Sequence, residues 1–332
     1  MKKRDICILG GTGFVGHHLA QVLCNRGHRV KIFSRHPQRH RDLNVLPNAK
    51  VVAAELNDES ALAQAFSGSD VVINLIGILN ERGHDGSGFR LAHVELPARL
   101  SRAAAKAGVK QFLHMSALGA DSARGSSDYL RSKGEGEQQV RLNAGDRTAV
   151  TIFRPSVIFG PGDAFINRFA GMLRLIPFAF PLPTPDTRMA PVYVGDVVTA
   201  MADCIDRRDT HDQRFSLCGP KIYTLKQILQ FTAETASVKR WIIGLPPALS
   251  RLQATILEYV PGKPYSLDNY RSSQVDSVCE DNHLVSFFQR QPAAIETVIP
   301  SYLGQTSSRG RFANLVRQTR HEFGQHRETG QS

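Results

Sequence analysis

A single tryptophan, five cysteines and no apolar run of membrane-spanning length mark what this chain of 332 residues does without. A helix that crosses a bilayer needs about 20 apolar residues. The longest candidate, Val71 to Leu79, is broken by Asn74 and Gly77 and has the length of a strand. The basic start Met1-Lys2-Lys3-Arg4 has only four apolar residues behind it before a run of glycines, so no cleaved secretion signal is expected. Cys7, Cys24, Cys204, Cys218 and Cys279 form no CxxC pair and no metal spacing. An odd, scattered set of this kind predicts a reducing, cytoplasmic setting with no disulfide framework. Cys7 and Cys24 are expected to be small core residues. The histidines show no HExxH arrangement, and no metal site is expected. Acid is also in short supply. Lys and Arg number 41 against 30 Asp and Glu, a net charge of +11. That balance favours anionic partners such as a phosphorylated cofactor or an anionic membrane surface. No aromatic and basic pattern of a base-stacking module accompanies it, so nucleic acid is not the expected partner.

What is present begins with Gly10-Gly11-Thr12-Gly13-Phe14-Val15-Gly16, directly after the apolar Ile6-Cys7-Ile8-Leu9 and directly before the apolar-periodic stretch Val15 to Leu23. Strand, glycine turn and helix in that order form the setting in which backbone amides and a helix N-terminus receive a pyrophosphate. Gly10, Thr12, Gly13, Phe14, Val15 and Gly16 are therefore candidate dinucleotide contacts. Further apolar strands follow at Val30–Ser34, Val51–Ala54, Val71–Ile76, Gln111–Met115 and Val150–Arg154, separated by helical stretches, among them Phe89 to Ala107 and Tyr129 to Leu142. Continuous apolar strands alternating with helices predict a doubly wound parallel α/β sheet, a Rossmann fold, with its ligand at the carboxyl ends of the strands. Leu75, Ile76, Gly77 and Pro155 border that end. After Arg154-Pro155 prolines cluster and the helical segments become irregular. The chain divides accordingly into a nucleotide-binding domain over 1–155, a smaller lobe over 156–305 interleaved with the last sheet strands, and a basic, partly disordered tail over 306–332.

A site for NAD normally carries an acid at the end of the second strand to hold the ribose 2′-hydroxyl. Here that position reads Phe33-Ser34-Arg35-His36, followed by Arg39 and Arg41, with no carboxylate. Ser34 and Arg35 suit a 2′-phosphate, which favours NADP(H) over NAD(H). Tyr129-Leu130-Arg131-Ser132-Lys133 then places a phenol and an ammonium on one helix face. A nearby ammonium is expected to lower the Tyr129 pKa and fit it for proton transfer. Ser116, at the end of the fifth strand, is a candidate hydrogen-bond donor to a substrate carbonyl.

These residues resemble the short-chain dehydrogenase/reductase superfamily, specifically its extended and atypical members. The glycine motif, Ser116, Tyr129 with Lys133, Arg154-Pro155 with Ile158-Phe159-Gly160, and Pro191-Val192-Tyr193-Val194-Gly195-Asp196-Val197 follow the order of that family across residues 5 to 235. Val94-Glu95-Leu96-Pro97 inside the long helix is similar to the branch of NADPH-binding accessory subunits of respiratory complex I and their bacterial homologues. The superfamily implies catalysis by Tyr129, Lys133 and Ser116, with Lys133 also on the nicotinamide ribose. That branch implies firm NADPH binding and a respiratory-complex or ubiquinone-related setting at the inner face of a membrane. A sugar-nucleotide epimerase or dehydratase is a further possibility within the superfamily. Two positions depart from its pattern. Ala117 stands where a second hydroxyl is usual after the serine, and His93-Val94-Glu95 replaces the usual asparagine of the long helix.

In the second lobe, Leu245, Leu249, Leu252, Ile256 and Val260 recur at helical spacing. Together with Phe165, Phe169, Met172, Leu175, Ile176, Phe178 and Phe180 they are expected to pack the lobe. The sharper alternative is an exposed apolar surface near Arg168, Arg174 and Arg188, for a membrane face or a hydrophobic, quinone-related substrate. Arg188 is a candidate contact for an anionic substrate group. Asp196, near Tyr193, is a candidate catalytic acid, with a structural role as cap of the next helix the favoured reading.

Overall fold

The computed structural model describes residues 2–304, so the proposed tail over 306–332 lies outside the described residues. Seven parallel strands form the central sheet: β1 (Asp5–Leu9), β2 (Arg29–Ser34), β3 (Ala49–Ala53), β4 (Val71–Asn74), β5 (Gln111–Met115), β6 (Ala149–Pro155) and β7 (Arg214–Leu217). Their order is β7-β6-β5-β4-β1-β2-β3, the doubly wound arrangement in which the chain reverses direction between β1 and β4. The first six strands begin or end within two residues of their sequence-based expectations, whereas β7 has no bounds assigned from sequence.

The sheet is apolar on both sides because helices cover both. On one side α1 (Phe14–Asn25) and the helix Val194–Asp203 pack over Ile6, Ile8, Leu113 and Phe153. On the other, α2 (Glu59–Phe66), α3 (Leu96–Lys106) and α4 (Asp128–Ala144) cover Cys7, Leu9, Phe112 and Ile152. Cys7 and Cys24 are buried, free core residues. The second lobe has a core of its own in Phe159, Leu173, Phe180, Ile228 and Ile299.

The long helix is not uniform. Ser87–Arg90 is α-helical, Leu91–Glu95 is a π turn, and α3 resumes at Leu96. The proline explains it. Pro97 has no amide proton for the carbonyl four residues back, and its ring would strike that carbonyl, which belongs to His93. Widening the turn to an i→i+5 pattern relieves the conflict.

Four expectations are corrected here. Cys218 and Cys279 are joined by a disulfide across 61 residues, with Cα atoms 6.1 Å apart. Wide separation in sequence hid a pair that the fold brings together. Asp196 does not cap its own helix; its Oδ2 accepts from the Ala293 amide at 2.8 Å and ties down a later segment. Arg188 is neutralised by Asp276, which accepts from both its backbone N and its Nε. Nor does the Leu249 stripe pack the lobe. Ser250 and Ala254 face inward, while Leu249, Leu252, Ile256 and Val260 remain exposed.

Candidate active site

The glycine turn closes the carboxyl end of β1 and each glycine answers a different constraint. Gly10 has φ +76°, and a Cβ there would lie 3.0 Å from the Leu75 carbonyl carbon. A Cβ at Gly16 would fall 2.4 Å from the Gly10 carbonyl oxygen. Gly13 is the N-cap of α1 and has no side chain over the first turn. Thr12, Phe14 and Val15 are half-buried on its rim, beside Leu75, Ile76 and the exposed Gly77. The result is a cradle of bare backbone and free helix amides at the point where the strand order reverses, which fits a dinucleotide pyrophosphate.

At the end of β2, Ser34 is buried and its Oγ accepts from the His36 amide at 3.1 Å, leaving its hydroxyl proton free to donate. Arg35 projects into solvent and has no carboxylate partner among the described residues.

The chemical end of the site is built on β5 and α4. Ser127 caps α4 by accepting from the Leu130 amide, and Asp268 of the second lobe accepts from the amides of Asp128 (2.7 Å) and Tyr129 (3.2 Å). Lys133, one turn further on, is buried and donates from Nζ to the Met115 carbonyl at 2.8 Å. Burial pushes its pKa down to about 8. Tyr129 behaves differently from the expectation drawn from its spacing to Lys133. Burial, helped by the Asp268 carboxylate, pushes its pKa up to about 12. Desolvation dominates, and the phenol, protonated at neutral pH in any case, is a weaker acid here than a free one. Ser116 is 3% exposed and its Oγ has no hydrogen-bond partner. An unpaired buried hydroxyl is uncommon, because it forfeits a water contact without replacement. Pro155 closes β6 beside it; its carbonyl accepts from the Leu118 amide.

His93 belongs to the site, although its residue type at that position reads only as a departure. Its Nε2 accepts from the Ile78 amide (3.0 Å), so Nδ1 carries the proton and donates to Ser132 Oγ (2.9 Å). The ring lies edge-on to Tyr129, with centroids 5.4 Å apart. Burial and the neighbouring Lys133 push its pKa down to about 2, so it stays neutral. A Cβ at Gly77 would sit 3.5 Å from both His93 Nε2 and Lys133 Nζ. Beneath them His114 is buried, accepts at Nδ1 from Asn74 Nδ2, and leaves Nε2 unpartnered. Asp268, Asn74 and His114 left no mark in the sequence, since each acts through contacts distant along the chain. No group of residues able to hold a metal occurs among the described residues.

Fold and site together define a dinucleotide-binding Rossmann protein with a serine at the end of β5 and a tyrosine and a lysine on the helix α4 that follows. Residues 6–218 match the NAD dependent epimerase/dehydratase family, and the chain belongs to that family. It is 33% identical over 231 residues to the rat (Rattus norvegicus) mitochondrial NADH dehydrogenase [ubiquinone] 1 alpha subcomplex subunit 9, an alignment covering 68% of this chain and 59% of that subunit. It is 30% identical over 246 residues to a ceramide reductase of Caulobacter vibrioides, covering 73% of each. Among solved structures, Thermus thermophilus UDP-glucose 4-epimerase in complex with NAD superposes with a TM-score of 0.70 at 18% identity, over 90% of this chain and 97% of that one. The last likeness shows the fold alone. The chain spans about three-fifths of the length of the complex I subunits it matches.

Proposed function

We propose that this protein is an NADP(H)-linked reductase that acts on the carbonyl of a hydrophobic compound. The observation that carries the reading is the grouping of Tyr129 and Lys133 one turn apart on α4, with Lys133 Nζ bonded to the Met115 carbonyl at the end of β5, next to the buried, unpaired Ser116 hydroxyl. Gly10, Thr12, Gly13, Phe14, Val15 and Gly16 would hold the pyrophosphate, with Leu75, Ile76, Gly77 and Pro155 along the strand ends. Ser34 and Arg35 would meet the 2′-phosphate, because no carboxylate stands where a ribose 2′-hydroxyl would need one. A nicotinamide bound there supplies or accepts a hydride. Tyr129 would hold the proton for the substrate oxygen and Ser116 would donate a hydrogen bond to it. Lys133 would orient a ribose hydroxyl. A hydrophobic substrate, lipid-like or quinone-related, is supported by a relative named for ceramide reduction and another, 28% identical, named sterol demethylase protein B.

A second reading has its own observation. Ala117 follows Ser116 where a further hydroxyl is usual, and several relatives are named as complex I subunits. Under that reading the chain is an NADPH-holding accessory or assembly factor of a respiratory or quinone-related complex. Either role suits a peripheral position at the inner face of a membrane; no helix among the described residues is long and apolar enough to cross one.

Mass spectrometry of small molecules released on denaturation, with titration of NADPH against NADH, tests both. Exchangeable NADPH, together with carbonyl-dependent oxidation that Tyr129→Phe abolishes without loss of binding, supports the reductase. Stoichiometric retained NADPH with no turnover supports the accessory role. A preference for NADH overturns the assignment of Ser34 and Arg35.

A further inference from the structure

The second lobe carries an apolar surface that no other described segment covers. Ala179–Leu182 and Trp241–Gly244 form a two-stranded parallel ribbon with Trp241 opposite Ala179 and Ile243 opposite Pro181. Phe180 and Leu182 point into the lobe core, so Trp241, Ile243 and Pro181 share the outward face. The turn leading into the ribbon adds to it: Leu175 is 83% exposed, Phe178 84% and Trp241 78%. Phe178 also has φ +60°, a left-handed conformation rare for a bulky side chain. Its carbonyl is held by the Trp241 amide at 3.1 Å. A strained backbone that presents an aromatic ring to solvent points to a use outside the chain. The helix Pro247–Leu257 joins the ribbon through Gln253 Nε2, which donates to the Pro181 carbonyl, and it leaves Leu249, Leu252 and Ile256 exposed.

Cations outnumber acids around this face, where Glu234 shares a groove with Lys239, Arg240 and Trp241. From Ala164 to Pro185 and from Thr235 to Leu257 there is no Asp or Glu, whereas Arg168, Arg174, Lys239, Arg240 and Arg251 fall within those stretches. Two copies meeting through this face would bring like charges together. An anionic bilayer matches both features, with Trp241 at headgroup depth, Phe178 and Leu175 at the acyl boundary, and the cations on phosphates.

We propose that the face centred on Phe178 and Trp241 docks the protein on an anionic phospholipid surface. The docking rests on exposed side chains and charge, independently of the nucleotide site. Trp241 is the chain's only tryptophan, so the emission of the full protein reports this face directly. The test is titration with phosphatidylcholine vesicles containing phosphatidylglycerol. Emission shifts to the blue, brominated acyl chains quench it, and the protein co-sediments with the vesicles. Lys239→Gln and Arg251→Gln each weaken binding about fivefold. Phe178→Asn, a residue that tolerates the same backbone angle, weakens it about tenfold or more with NADPH affinity and melting temperature unchanged. Emission and sedimentation unmoved by these vesicles overturn the proposal. Equal binding to purely zwitterionic vesicles overturns the anionic assignment. A blue shift that grows with protein concentration without lipid, alongside a dimer mass in light scattering, overturns it in favour of a second copy of the chain.

Discussion

The carbonyl oxygen of His93 lies against Gly136 so closely that a Cβ at that position would be 1.9 Å from it. Pro97 sets this up by forcing the π turn, and the same turn lowers the His93 ring onto Ile78, Ser132 and Tyr129. Gly136→Ala therefore pushes the long helix off α4. The expected loss is about 1–3 kcal/mol of stability, read as a lower melting temperature. Gly171, inside the helix Ile166–Leu175, has nothing within 4 Å of its would-be Cβ. Gly171→Ala is expected to stabilise by up to about 1 kcal/mol.

Arg35 decides the nucleotide preference if the reading of the β2 end holds. Arg35→Asp removes the partner of the 2′-phosphate and supplies one for a 2′-hydroxyl. The ratio of NADPH to NADH affinity should fall by about tenfold or more, equivalent to one charge-assisted contact. Fluorescence titration of both nucleotides measures it, and an unchanged ratio removes Arg35 from the site.

His93 and His114 make the fold acid-sensitive. Their folded pKa values lie at about 2 and about 3 because burial and Lys133 disfavour the cations. An unfolded chain takes up those protons near pH 6.5, so below that value it binds more protons than the folded one. Stability from each histidine is complete above pH 6.5 and is lost as pH falls toward 3, by about 1.4 kcal/mol per pH unit per group. Denaturant melts between pH 7 and 4 should show this slope, and His93→Gln should remove about half of it.

Lys133 works in the same direction in a higher pH window. With its folded pKa at about 8, it binds fewer protons in the folded state than in the unfolded state between pH 8 and 10.4, so its burial penalty shrinks as pH rises through that window. Lys133→Met is expected to gain up to about 3 kcal/mol at pH 7, reduced by the Met115 carbonyl it leaves unpaired, and to gain less by pH 10. Loss of nucleotide binding should accompany it. A variant no more stable at pH 7 than the parent would show that Lys133 is better solvated than its burial implies.

Cys218–Cys279 closes a long loop that includes Asp268, the residue holding the start of α4. On chain entropy alone Cys279→Ser should lower stability by up to about 4 kcal/mol. Matched thermal melts with and without reductant check this, the reduced parent behaving like the variant.

Local chemistry made much of this protein legible. The glycine turn between an apolar strand and a helix, the acid-free end of β2, and the four-residue step from Tyr129 to Lys133 are patterns of neighbours in the chain. Backbone sterics and side-chain period dictate them without knowledge of the fold.

Tertiary structure decided what depends on burial and on distant partners. Tyr129 titrates high because the folded protein strips its water, an effect that spacing to Lys133 cannot convey. Asp268 reaches Tyr129 from 139 residues away, and Cys218 finds Cys279 across 61. The Leu249 stripe has the period of a core face yet lies in the open. Periodicity sets only that a helix has an apolar side; which surface that side meets is fixed by packing of the whole chain.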